Sequence, residues 1–133
     1  MTKYTLAIVG AKFRPPALGI LAVLPTNAAL IVRREPTNAY DANAMQVIWP
    51  TQRGLIDATR LDEAVLGYGS TADEVLAAPE WHLGYIPRQD ALLLARRMDL
   101  MPARAQDKPA EVPGVLTWSA EGAPRVQFSI EGE

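Results

Sequence analysis

Apolar residues along this chain fall into short runs broken by proline, glycine and polar clusters. Tyr4 to Val9 stops at Gly10 and predicts a first strand. Pro15-Pro16 interrupts any regular element. Leu18 to Leu24 is apolar throughout and fits either a strand or a short helix. After the turn signal Pro25-Thr26-Asn27, Ala29 to Arg34 predicts a second strand, which Pro36 ends. Ala44 to Trp49 predicts a third, stopped by Pro50.

Residues 51–80 are the least regular. Asp57 to Leu66 fits a short helix. Ser70 or Thr71 followed by Asp73-Glu74 has the form of an N-cap with an acidic first turn, closed by Pro79. Trp81 to Ile86 predicts a fourth strand. Pro87 suits the first position of a helix, where its missing N–H costs nothing. In that helix Ala91, Leu94, Ala95 and Met98 recur at helical spacing and should face the core, with Arg96 and Arg97 suiting the C-terminal end of the dipole. Beyond the breaker Pro102, Val112 to Ser119 and Arg125 to Ile130 predict two more strands around the turn Glu121-Gly122-Ala123-Pro124.

Six or so strands without a β-α-β rhythm exclude a parallel sheet. The expected class is mainly β, with one or two helices: a small OB-like or SH3-like antiparallel β-barrel with a helix packed against it. The length of 133 residues fits one domain spanning 1–133, with residues 51–80 as an acidic insertion. No internal repeat is visible.

Composition narrows the chemistry. There is no cysteine and one histidine, so disulfides, thiol catalysis and zinc fingers are out, and a catalytic triad or metal site has almost nothing to build on. No cofactor and no metal are expected. No apolar run approaches the roughly 20 residues that span a bilayer, and no signal peptide is visible, so the chain reads as soluble and cytoplasmic, with no membrane partner. The net charge of −2 argues against a long polybasic tract for nucleic acid. Its distribution changes that picture. Residues 1–49 carry five Lys/Arg against two acids and 81–108 five against three, while 50–80 carry two against six and 109–133 one against four. A local basic surplus can hold one short anionic ligand.

The run Arg34-Glu35-Pro36-Thr37-Asn38-Ala39-Tyr40-Asp41-Ala42-Asn43-Ala44 sets a polar loop between two apolar strands, a place where function concentrates. Read alone, its residues admit two accounts. Asp41 and Asn43 suit an Asx turn as well as a binding site. Tyr40 could pack its ring on the barrel or present it, and Phe13 could be core or platform. Arg33 and Arg34 alternate along a strand, so at most one faces a ligand and the other solvates. Three suggestive patterns fail on inspection. Gly67-Tyr68-Gly69-Ser70-Thr71-Ala72 matches a dinucleotide fingerprint, but Pro79 cuts the helix it needs. Asp41-Ala42-Asn43 begins like a calcium loop, but Gln46 stands where its glycine belongs. His82, beside Trp81 on a strand, reads as structural.

The Arg-Glu-Pro…Tyr-Asp-x-Asn-Ala run resembles the HIRAN domain family. Two further patches match in order: Val9-Gly10-Ala11-Lys12-Phe13-Arg14, and Leu83-Gly84-Tyr85-Ile86-Pro87-Arg88-Gln89. The chain is similar in length to the stand-alone bacterial or phage members, while other members are modules of DNA-repair helicase-like ATPases. The resemblance implies an OB-like barrel that binds single-stranded DNA, in the characterised case at a free 3′ end. It implies that Tyr40 stacks on the terminal base and Asp41 accepts from the 3′-hydroxyl. Phe13 would be a second stacking surface beside Lys12 and Arg14, Asn38 would lie in the same loop, and Tyr85 and Arg88 would hold phosphates. The chain departs from the family in the long 51–80 connection, in Ala39 where proline is frequent, and in Tyr85 where histidine occurs.

The expectation is therefore a non-enzymatic single-stranded DNA-binding module that recognises a 3′ end. Two rivals stand beside it. One is a protein-interaction adaptor, phage-encoded, whose 51–80 insertion contacts a protein partner. The other is a metal-dependent phosphoesterase, which would need Glu35 beside Asp41.

Overall fold

The computed structural model describes residues 2–53, 56–101 and 108–131. Among these residues six strands form one antiparallel sheet: β1 (Lys3–Ala7), β2 (Ala29–Arg34), β3 (Met45–Pro50), β4 (Glu80–Tyr85), β5 (Glu111–Trp118) and β6 (Pro124–Ser129), in the spatial order β1-β6-β5-β2-β3-β4. Each is within about two residues of its predicted span. The ladder is open, with β1 and β4 at its edges. Past the end of β1 the chain curls round and Val9 makes a two-bond bridge to Tyr85 of β4, at 2.9 and 2.8 Å. The sheet is thus curled, with its opposite edges tied at one point, which is compatible with the OB-like expectation.

Proline marks the sheet's irregularities. Pro50 closes β3 from within, opposite Glu80. Pro113 sits inside β5, and the β5–β6 pairing stops one residue short of it at Gly114–Phe128, since proline has no N–H to give a ladder. Leu30 and Val32 of β2 are buried, alternating with half-exposed neighbours, as a strand with one core face requires.

Among the described residues four α-helices accompany the sheet: α1 (Ala17–Val23), α2 (Ala58–Leu66), α3 (Ala72–Ala77) and α4 (Arg88–Asp99). The ambiguous run Leu18–Leu24 is helical. α1 packs on both α2 and β4, so it is apolar on more than one side and shows no clean period. Asp57 caps α2 by accepting from the Thr59 and Arg60 amides, and Thr71 caps α3 by accepting from Glu74. α4 buries Ala91, Leu94, Ala95 and Met98, the predicted face. Burying each of the larger apolar side chains contributes about 1.5–3 kcal/mol. Pro102, read as the breaker after this helix, lies outside the described residues, as do positions 54 and 55 of the insertion. Among the described residues no helix is long and apolar enough to cross a membrane.

Candidate nucleic-acid interface

The loop after β1 turns on Gly10, whose φ of +82° is a left-handed conformation that disfavours other residues. A single 3₁₀ turn, Ala11–Phe13, follows and buries Ala11. Its other two side chains therefore point outward. Phe13 is 76% exposed, and the Lys12 ammonium lies 5.0 Å from its ring centroid. The core option for Phe13 is excluded.

The loop between β2 and β3 is built from two successive Asx turns. Asn38 Oδ1 accepts from the Tyr40 and Asp41 amides at 2.9 and 3.0 Å, and Asp41 Oδ1 accepts from the Asn43 amide at 2.9 Å. This geometry throws Tyr40 outward; at 90% exposed its ring packs on nothing. It also divides the work of Asp41. One carboxylate oxygen holds the turn, and the other faces Arg88 Nε at 3.9 Å.

A bulge in β4 supplies the floor. Gln46 pairs with Tyr85 and Val47 with Gly84, but Ile48 pairs with His82, so Leu83 is an extra residue. Residues three apart normally point to opposite faces of a strand. The extra residue brings His82 and Tyr85 to the same face, rings edge-to-face with centroids 4.6 Å apart. Gln46 sits opposite Tyr85 on one side and Arg33 on the other. Glu35, two residues beyond Arg33, reaches the same cluster.

Glu35 is its hub. Its Oε1 accepts from the Tyr85 hydroxyl at 2.9 Å and from Asn38 Nδ2 at 2.5 Å, while Oε2 accepts from Gln46 Nε2. Arg14 Nη2 donates to the Tyr85 hydroxyl at 3.3 Å, and its guanidinium lies 5.4 Å from the Tyr85 ring centroid. Burial, then the Glu35 carboxylate, push the Tyr85 hydroxyl above its ordinary pKa, so it keeps its proton and donates.

Burial, followed by the Arg14 charge, lowers the His82 pKa. The neutral tautomer with the proton on Nε2, donating to the Gly84 carbonyl at 2.8 Å, leaves Nδ1 to accept from Gln46. A histidine whose folded pKa lies below its unfolded value stabilises the fold fully above the unfolded pKa, and that contribution is lost as pH falls through it. Unfolding free energy is therefore expected to drop between about pH 7 and pH 5.5. His82→Gln should flatten that slope in denaturant titrations at the two pH values; an unchanged slope in the variant would assign the effect to other groups.

These segments enclose one cavity of about 870 Å³. Seven of the eight residues singled out from the sequence line it: Phe13, Arg14, Asn38, Tyr40, Asp41, Tyr85 and Arg88. Lys12 stands outside it, against Phe13. Glu35 also lines the cavity, as do Val9 and Ile86. The sequence suggests for Glu35 only the part of a metal partner for Asp41. The signal for its actual place was its period-2 relation to Arg33, together with the polar Gln46 inside an apolar strand. Among the described residues no group of three or more His, Asp or Glu could hold a metal ion.

Neither strand arginine occupies the cavity or merely solvates. Arg34 is buried, and its guanidinium joins Asp99 at the end of α4 to the Ala42 and Ala44 carbonyls of the loop. Arg33 pairs with Glu80 at 2.6 Å and Glu111 at 3.2 Å, and the Glu80 hydrogen bond raises its pKa further. No described residue of 51–80 lines the cavity. The insertion packs instead as α2 against α1. Two other concavities, about 610 and 420 Å³, lie along β5. The first mixes apolar residues of β5 and β6 with Lys3, Glu111 and Glu131; in the second Arg33 is already neutralised.

No family model and no curated protein matches this chain. Two solved structures share its fold. A Lactobacillus plantarum protein aligns with a TM-score of 0.54 at 20% identity, over 96% of each chain. The HIRAN domain of human HLTF aligns with a TM-score of 0.52 at 18% identity, over 98% of this chain and 77% of that one. The fold is HIRAN-like.

Proposed function

We propose that this HIRAN-like fold is a non-catalytic module that binds the 3′ end of single-stranded DNA in the 870 Å³ cavity. The observation that carries this reading is convergence. Three segments far apart in sequence bring two exposed aromatic rings, two guanidinium groups and two half-buried carboxylates, Glu35 and Asp41, to a single concavity. Its volume lies within the ~300–1,000 Å³ typical of ligand clefts.

Each group has a role it can perform chemically. Tyr40 and Phe13 offer stacking faces, which tolerate any base. Arg14 and Arg88 supply charge for phosphates. The outward oxygen of Asp41 accepts from a hydroxyl and repels a terminal phosphate, so it distinguishes a free end. Glu35 binds no ligand in this reading, because Tyr85, Asn38 and Gln46 already occupy both its oxygens. It fixes the floor instead.

Fluorescence anisotropy with short oligonucleotides ending in a 3′-hydroxyl, a 3′-phosphate or a blocked 3′ carbon tests the assignment. The 3′-hydroxyl strand should bind tightest, and equal affinity for all three would sink end recognition. Tyr40→Ala should weaken binding by about 1–3 kcal/mol, roughly 5- to 150-fold, with no change in Tm, because the ring packs on nothing. With Lys12, Arg14 and Arg88 as the contacting cations, the slope of log K against log salt should be no steeper than about −2.

A further inference from the structure

We propose that a second, smaller cleft beside the cavity reads the base next to the strand's end and makes binding sequence-selective at that position, in favour of adenine. This inference rests on the end-binding reading of the larger cavity. The cleft, about 380 Å³, is lined by Asp41, Asn43, Arg88, Gln89 and Leu92. It shares Asp41 and Arg88 with the larger cavity, so these two side chains form the wall between them. A single strand that fills both clefts must cross that wall.

The wall is suited to such a crossing. Arg88 is 81% exposed, and its 3.9 Å approach to Asp41 is too long for a hydrogen bond. Its planar fork remains available to the phosphate that links two nucleotides. Asp41 keeps the end hydroxyl on the other side.

The lining beyond the wall differs in kind from the larger cavity. The stacking rings Phe13 and Tyr40 are absent from it. Asn43 from the loop and Gln89 from the first turn of α4 contribute side-chain amides instead, and among the described residues neither side-chain amide has a hydrogen-bond partner; Asn43 bonds to Asp41 only through its backbone N–H. Leu92, one helical turn further along α4, is 65% exposed and gives an apolar contact. An amide offers a donor and an acceptor together, and asparagine or glutamine pairs bidentately with the N6 and N7 edge of adenine. A cleft with two unpaired amides therefore discriminates among bases, whereas a stacking platform does not.

Oligothymidines with a free 3′-hydroxyl, carrying A, C, G or T at either the last or the next-to-last position, test this by anisotropy. Wild-type protein should favour A at the next-to-last position by about fivefold or more, with little preference at the last. The double variant Asn43→Ala/Gln89→Ala should lose that preference while still binding oligothymidine; its Tm should hold, since both side chains lack partners. Equal affinity for the four bases, or a preference that survives the double variant, overturns the second cleft and leaves end binding standing. Failure of every oligonucleotide to bind overturns both.

Discussion

Replacing Arg34 by alanine is expected to lower the unfolding free energy by about 3 kcal/mol and to weaken single-strand binding more than tenfold. Arg34 ends β2 on its core face, in line with buried Leu30 and Val32, and is itself 5% exposed. Its Nε and Nη2 donate to the two Asp99 oxygens at 3.1 and 3.2 Å. Nη1 donates to the Ala44 carbonyl at 2.9 Å and Nη2 to the Ala42 carbonyl at 3.0 Å. One guanidinium thus ties the exit of the β2–β3 loop to the last turn of α4, where a positive charge also meets the helix dipole. Removing one partner of a buried ion pair costs about 3–5 kcal/mol. Asp99 is 40% exposed and can regain water, which places the value at the lower end. The loop that carries Tyr40 and Asp41 loses its anchor, so binding falls with stability. Arg34→Lys should recover less than half, because an ammonium cannot span the fork. Urea denaturation measures the first effect; a loss under 0.5 kcal/mol would show that the clamp is not the anchor.

The six strands were legible because proline, glycine and alternation punctuate them at nearly every boundary. α1 was not, since burial against both α2 and β4 removes the polar face that would have declared a helix. The cavity residues were legible as three patches whose convergence sequence spacing alone could not show. Two features hid the floor of the site. The β4 bulge brings His82 and Tyr85 to one face, against the parity a regular strand would give. For Arg33 and Arg34 the sequence offers only a ligand-facing or a solvated place, yet the partner of Arg34, Asp99, lies 65 positions away. Phe13 and Tyr40 admitted core and surface accounts alike. Only the Gly10 turn and the paired Asx turns, both three-dimensional facts, put the rings outside.

Gly84→Ala should be nearly as damaging as the loss of Arg34. Gly84 lies in β4 beside the bulged Leu83, where the chain after β1 crosses it to make the Val9–Tyr85 bridge. A Cβ at this position would stand 2.4 Å from the Val9 carbonyl oxygen and 3.1 Å from Ile8 Cγ2. The first of these atoms is backbone and cannot rotate away, so the strand itself must move. Overpacking of this kind costs about 1–3 kcal/mol, and an unyielding neighbour argues for the top of that range. For a chain of this size that corresponds to a fall in Tm of about 10 °C. The displacement falls on the bonds that tie the sheet's two edges, 2.9 Å from the Val9 amide and 2.8 Å from the Tyr85 amide. Tyr85 carries the floor of the cavity, and the segment after Val9 carries Phe13. Separating them pulls apart two segments that line the cavity. Single-strand affinity should therefore drop at 15 °C, where the variant is still folded. Thermal melting read together with low-temperature anisotropy distinguishes this from simple unfolding. A variant that melts early but binds at full strength when cold would show that the bridge supports the fold without shaping the pocket.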